Sequence, residues 1–222
     1  MQPLVLFDMD NTLVDRQLAL ARWATSFRAR YGLSHEDEAW LANLLAERAV
    51  PDHFEVIRLR FQLVESGTDL WDRYCADIAA AVRCPSGVLE GLEALRAGGW
   101  RIGIATNGQT DVQWAKLRAT GIADRVDAVC VSEEAGARKP EPALFAEAVR
   151  RCGGVGDGIQ AWMVGDSAVK DVGGGQGAGL RTIWVDHGST WPQELPGPDH
   201  RVPDAHAAMD LLSSLGPRRN TT

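Results

Sequence analysis

Five short, nearly unbroken apolar runs punctuate the chain, at residues 4–7, 101–105, 128–131, 161–164 and 182–185. Continuous rather than alternating apolar character suits parallel strands buried on both faces. Helical periodicity lies between them. Leu89, Leu92 and Leu95 share a face before Gly98 and Gly99, and residues 142–151 carry Leu144, Phe145, Ala148 and Val149. Strands alternating with helices predict an α/β fold built as a doubly wound parallel sheet. In such sheets ligands bind beyond the carboxyl ends of the strands.

The stretch between the first and second strands is far too long for one crossover, and it reads as helical. Leu20, Trp23, Phe27 and Tyr31 run down one face and stop at Gly32. Ser34 is placed to cap a second helix carrying Trp40, Leu41, Leu44 and Leu45. Phe54, Ile57, Phe61 and Val64 mark a third helix ending before Gly67. Trp71, Tyr74, Ile78 and Val82 mark a fourth, broken by Cys84-Pro85-Ser86-Gly87. Residues 14–87 are therefore predicted to be an inserted all-helical cap domain, with hinges near 13–16 and 84–87. Residues 1–13 and 88–222 form the discontinuous core domain.

Composition narrows the function classes. The chain has 222 residues, 45% of them hydrophobic and 24% charged, an ordinary globular balance. A net charge of −7 argues against nonspecific binding to nucleic acid or to an anionic membrane. No apolar stretch approaches the roughly 20 residues needed to span a bilayer. The N-terminus opens on a strand pattern without a signal peptide, so a cytoplasmic protein is expected. Cys75, Cys84, Cys130 and Cys152 form no CxxC pair, which disfavours a zinc site and suits reduced thiols. The polar tail, residues 216–222, is expected to fray.

Polar residues gather where the strands end. The first strand runs into Asp8-Met9-Asp10-Asn11-Thr12-Leu13, and the second into Thr106-Asn107-Gly108. Lys139 precedes Pro140 just ahead of a helix, and the fourth strand leads to Asp166 and Asp171. Four carboxylates in one partly dry site repel one another strongly unless a hard cation joins them. Magnesium prefers oxygen ligands and sites shared with phosphate. Asp8 and Asp166 can ligate it directly, with a main-chain carbonyl of the first loop as a third ligand. Thr106 and the loop amides of Asn107 and Gly108 can donate to phosphoryl oxygens, and Lys139 supplies a compact positive charge. An aspartate so placed can attack phosphorus, while its neighbour two residues on handles protons.

These motifs, DMDNTL, the Thr of ATNG, the Lys of RKPEP and GDSAVKD, resemble in order and setting those of the haloacid dehalogenase-like hydrolase superfamily. The resemblance implies a Rossmann-like core, Mg2+ dependence and an aspartyl-phosphate mechanism. It makes Asp8 the nucleophile and Asp10 the general acid/base. Thr106 and Lys139 hold the phosphoryl group, and the metal set is Asp8, Asp10, Asp166 and Asp171. Asp171 either binds the metal or orients Lys139. The cap's position between the first two motifs resembles the C1 type. Asp10 favours phosphate esters over haloacids, whose halide needs no proton. The expected partner is a small phosphorylated metabolite, and the expected state a monomer or homodimer. A phosphomutase and a non-catalytic phosphometabolite-binding protein are the alternatives.

Other features invite plainer explanations. Gly173, Gly175 and Ala178 match a dinucleotide-binding pattern, but no strand immediately precedes them, so a short helix packed closely on the sheet is predicted. Trp162 and Trp184 are assigned to the core. Trp40, Trp71 and His53 in the cap are assigned to packing or surface rather than to the substrate. The charged runs at 36–38 and 58–60 are assigned to solvated faces, and Arg138 beside Lys139 has a weak claim on an anion.

Overall fold

The computed structural model describes residues 2–154 and 161–215, so the tail predicted to fray lies outside the described residues. Among them is one parallel sheet of six strands in the order β3-β2-β1-β4-β5-β6. The strands are β1 (Leu4–Phe7), β2 (Arg101–Thr106), β3 (Ala128–Val131), β4 (Ala161–Gly165), β5 (Arg181–Val185) and β6 (His200–Val202). Neighbouring registers run Phe7 to Ile104 and Phe7 to Val164, which brings the carboxyl ends of β1, β2 and β4 level.

Side chains alternate between two cores, as strand geometry requires. Val5 and Phe7 join Ile102, Ile104 and Val164 on one face, against α5 (Val88–Ala97), α6 (Thr110–Thr120) and α10 (Ala205–Leu215). Leu4 and Leu6 face the other way, toward Leu144, Phe145 and Ala148 of α8 (Pro142–Arg151). The first core continues into the inserted helices α1 (Arg16–Tyr31), α2 (His35–Leu45), α3 (Pro51–Phe61) and α4 (Gly67–Ala81). There Trp23, Phe54, Trp71 and Tyr74 meet ring to ring, with centroids 4.9 to 6.1 Å apart. No helix of the described residues is long and apolar enough to cross a membrane.

All five predicted strands are present, with ends shifted by no more than a residue. The sixth, β6, is too short to carry a pattern. Helix α6 was not predicted because its inward face includes the polar residues Gln113 and Lys116. The third cap helix stops at Phe61, where Gln62 turns left-handed (φ 51°), so Val64 is not on its apolar face and is 99% exposed.

The glycine-rich stretch has a steric explanation. It spans a wide helical turn, residues 168–173, and the short helix α9 (Gly174–Gly177). A Cβ on Gly174 would sit 2.8 Å from the Phe145 ring and 2.9 Å from the Pro140 Cα. One on Gly175 would lie 3.0 Å from the Met163 Cβ. These glycines let the chain close onto β4 and α8 despite their poor helix propensity.

Gly174→Val is therefore expected to cost about 1–3 kcal/mol through overpacking. Gly177→Ala, with open space around its Cβ, is expected to gain about 0.5–1 kcal/mol. Urea denaturation of both variants measures the difference.

Candidate active site

The carboxyl end of β1 delivers Asp8 into the interior, and its N–H donates to Val164 C=O of β4 at 2.8 Å. The chain then reverses tightly. Asn11 adopts φ 61°, a conformation Asn tolerates, while the Leu13 and Val14 N–H groups both donate to Met9 C=O. This turn leaves Asp8 and Asp10 facing one cavity of about 620 Å³.

Lys139 is buried among the acids. Its Nζ donates to Asp8 Oδ1 at 2.6 Å and to Asp171 Oδ1 at 2.7 Å. Asp171 Oδ2 accepts from Ser167 N–H at 2.9 Å. Both Asp171 oxygens are thus engaged, and the geometry favours its orienting Lys139. Room for this carboxylate comes from Gly165, where any Cβ would lie 2.3 Å from it. One carboxylate oxygen each from Asp8, Asp166 and Asp171 can be chosen so that all lie within 4.8 Å of one another.

Charge does not balance within this group. Burial, with Asp171 and Asp166 adding repulsion, pushes the Asp8 carboxyl up to about 8 despite Lys139. Burial and Asp171 push Asp166 up to about 6. Burial works to lower Lys139, but Asp171 and Asp8 outweigh it and raise the lysine. With all three carboxylates ionised, one ammonium would leave two negative charges uncompensated, and the raised Asp8 and Asp166 carboxyls express the cost of that state. An all-oxygen donor set with that deficit fits a hard divalent cation such as Mg2+.

Asp10 stands apart from this cluster. Both of its oxygens accept from Lys116 Nζ at 2.6 Å, and Arg16 Nε lies 3.8 Å from Oδ2. Burial works to raise this carboxyl, but Lys116 and Arg16 prevail and hold it below the ordinary range. Of the predicted metal set, three carboxylates converge and the fourth, Asp10, is committed elsewhere. A ligand from Asp10 would have to be its main-chain carbonyl.

The second strand's loop is held by side chains from three other segments. Thr106 Oγ1 is buried and accepts from Gln113 Nε2 at 2.6 Å, which leaves its hydroxyl proton to donate. The Asn107 side chain is occupied with Lys139: Nδ2 donates to Lys139 C=O at 3.0 Å, and Oδ1 accepts Lys139 N–H at 2.9 Å. The Gly108 N–H, predicted to face a phosphoryl group, donates instead to Ser132 Oγ at 3.0 Å.

Sequence reasoning missed Lys116, Gln113 and Arg16. An available signal was two long polar residues three apart on a helix directly after the Thr106 loop. From the cap, residues 46–49 line the cavity. Arg48 Nη2 donates to Gln109 Oε1 at 2.9 Å, and Glu47 lies 3.3 Å from Lys170 Nζ. Trp40 packs edge-on against Phe61 beneath Arg60, and Trp71 lies in the cap's aromatic core. Neither tryptophan lines the cavity, nor does His53, while Arg138 does.

Comparison with known proteins gives a consistent picture. The family model described as haloacid dehalogenase-like hydrolase matches residues 3–179. A glyceraldehyde 3-phosphate phosphatase of Pyrococcus abyssi is 30% identical over 225 residues, covering 95% of this chain and 92% of the relative. A phosphoglycolate phosphatase of Yersinia pseudotuberculosis is 30% identical over 220 residues, covering 96% and 92%. The crystal structure of a phosphatase from Thermococcus onnurineus superposes with a TM-score of 0.70 at 27% identity, covering 95% of this chain and 97% of that one.

Asn107→Ala removes both hydrogen bonds that clamp the Lys139 main chain. A loss of about 1–3 kcal/mol in urea denaturation is expected, because it leaves part-buried backbone groups unpaired.

Proposed function

The chain belongs to the haloacid dehalogenase-like hydrolases, and from that premise we propose a magnesium-dependent phosphatase acting on a small-molecule phosphate monoester through an aspartyl phosphate on Asp8. One observation carries this reading. Asp8, Asp171 and the half-buried Asp166 share one site with Lys139, which would be two negative charges short of balance with all three acids ionised, and Asp10 lies two residues from Asp8. The relatives named for glyceraldehyde 3-phosphate and phosphoglycolate support a small phosphorylated metabolite.

Asp8, Asp166 and Asp171, or Asp8 and Asp166 with Asp171 reserved for Lys139, would hold the cation. When bound, it screens an anionic substrate from Asp8 and withdraws charge from the phosphoryl oxygens. The Asp8 carboxylate forms a bond to phosphorus while the bond to the ester oxygen breaks; Asp10, ionised in the resting site, takes up the proton of a monoprotonated phosphate ester and passes it to that oxygen. Asp10 then takes a proton from water as the water oxygen bonds to phosphorus. The bond to Asp8 breaks, releasing phosphate and restoring the carboxylate. Thr106 Oγ donates to a phosphoryl oxygen, and Lys139 meets the developing negative charge. Residues 14–87 act as a cap whose loop 46–49 closes the cavity against bulk water.

Phosphate release from aryl and metabolite phosphates tests this reading. Asp8→Asn or a chelator is expected to abolish turnover, and Asp10→Asn to lower kcat by about 100-fold or more. Turnover unaffected by Asp8→Asn and by chelation, or isomerised product in place of free phosphate, would refute it.

Cation binding should also depend on pH. Asp8 and Asp166 retain protons up to about 8 and about 6, and a cation must displace them. Affinity for Mg2+ in titration calorimetry is therefore expected to rise with pH across that interval, with proton release visible in buffers of different ionisation enthalpy.

A further inference from the structure

Lys116 is a buried ammonium that the chemistry above does not use. Its side chain is 3% exposed and spans from α6 to the β1 loop, gripping both oxygens of Asp10 at 2.6 Å. A buried lysine without this partner would be costly, and so would Asp10 without the lysine. The neighbouring Gln113 extends the link. Its Nε2 donates to Thr106 Oγ1 at 2.6 Å and lies 3.3 Å from Asp10 Oδ2. One helix face thus sets the distance between the proton carrier and the phosphoryl-binding hydroxyl. The same helix is tied to the cap at its start, where Trp71 Nε1 donates to Asp111 Oδ2 at 2.5 Å. On the other side, the Arg16 guanidinium donates to Leu45 C=O at 2.7 Å and to Ala46 C=O at 2.5 Å, while its Nε faces Asp10.

We propose that Lys116 is a positioning residue for the proton-transferring Asp10: its two-point grip fixes the carboxylate beside the cavity, and in the reaction it keeps hold of one oxygen while releasing the other to serve the leaving oxygen and then the attacking water. This rests on the reading of Asp10 as the proton carrier. The proton delivered to the ester oxygen comes from the Asp10 carboxyl, and the one returned to Asp10 comes from water. Without the ammonium, Asp10 keeps only the longer contacts with Gln113 Nε2 at 3.3 Å and Arg16 Nε at 3.8 Å, and both proton transfers lose their alignment. An alkyl ester then suffers in its first step, because an alkoxide leaves poorly unprotonated. An aryl ester, whose oxygen departs as a stable anion, passes the first step and stalls in the second.

Lys116→Met is expected to lower kcat by about 100-fold on both ester types without raising KM. With the aryl phosphate it should give a burst of aryl alcohol equal to the enzyme present, and with the alkyl phosphate no burst. A loss of folded protein would shrink both phases together and produce no burst. Lys116→Gln, which leaves a neutral donor beside Asp10, is run alongside, and the same pattern is expected of it. In an Asp10→Asn background, where both members of the pair are neutral in the double variant, Lys116→Met is expected to change kcat by less than about 2-fold, because the two residues act as one unit. An equal loss in the Asp10→Asn and wild-type backgrounds overturns the inference alone, as do unchanged kinetics in an active enzyme. A wild-type protein that releases no phosphate overturns the phosphatase reading and the inference with it.

Discussion

Uncompensated negative charge at the centre of the sheet governs this molecule. Asp8, Asp166 and Asp171 are drawn into one pocket by two segments, the end of β1 and the stretch after β4, and Lys139 from a third answers only part of their charge. A fold tolerates such a cluster only where surrounding structure holds it firmly. That support is visible in each segment. The Asp8 main chain is bonded to β4, the Asp171 carboxylate accepts from Ser167 N–H, and Lys139 is clamped by Asn107. The strain is electrostatic, and it is what readies the site for a cation and a phosphoryl group.

Asp10 occupies a different electrostatic world only two residues away. Lys116 and Arg16 surround it with positive charge, so its carboxyl is held low while that of Asp8 is driven high. Two carboxylates on one short loop are thereby set to opposite proton affinities by their surroundings rather than by their chemistry. The separation depends on α6, which brings Lys116 and Gln113 beneath the cavity, and on the cap, which brings Arg16. The inserted helices and the sheet domain thus meet through groups that touch Asp10.

The glycines show how closely the backbone had to be shaped for this. Gly165 leaves space for the Asp171 carboxylate, Gly108 for Gln113, and Gly174 for Phe145 and Pro140. Each lets polar or aromatic groups approach the main chain where a Cβ would exclude them. At Gly174 the poor helix propensity of glycine is the cost of bringing the 168–173 turn and α8 close together.

Much of this was legible in the order of residues. Continuous apolar runs marked five strands because a strand buried on both faces has no polar side to show. The acids and the lysine were legible because polar residues directly after such runs must emerge at the strand ends. The cap helices were legible from their period and from Ser34 and Gly32, which carry local capping chemistry. What remained hidden were contacts between segments distant in the chain. Lys116 reads as an ordinary polar position on a helix, and only the packing of α6 under the β1 loop makes it the partner of Asp10 across 106 positions. Likewise, nothing local reveals that Asn107 serves Lys139 or that Gly108 gives its N–H to Ser132. Sequence determined which groups arrive at the strand ends, since periodicity is a local property. Tertiary structure decided which charge faces which, since burial and distance exist only once the chain has closed on itself.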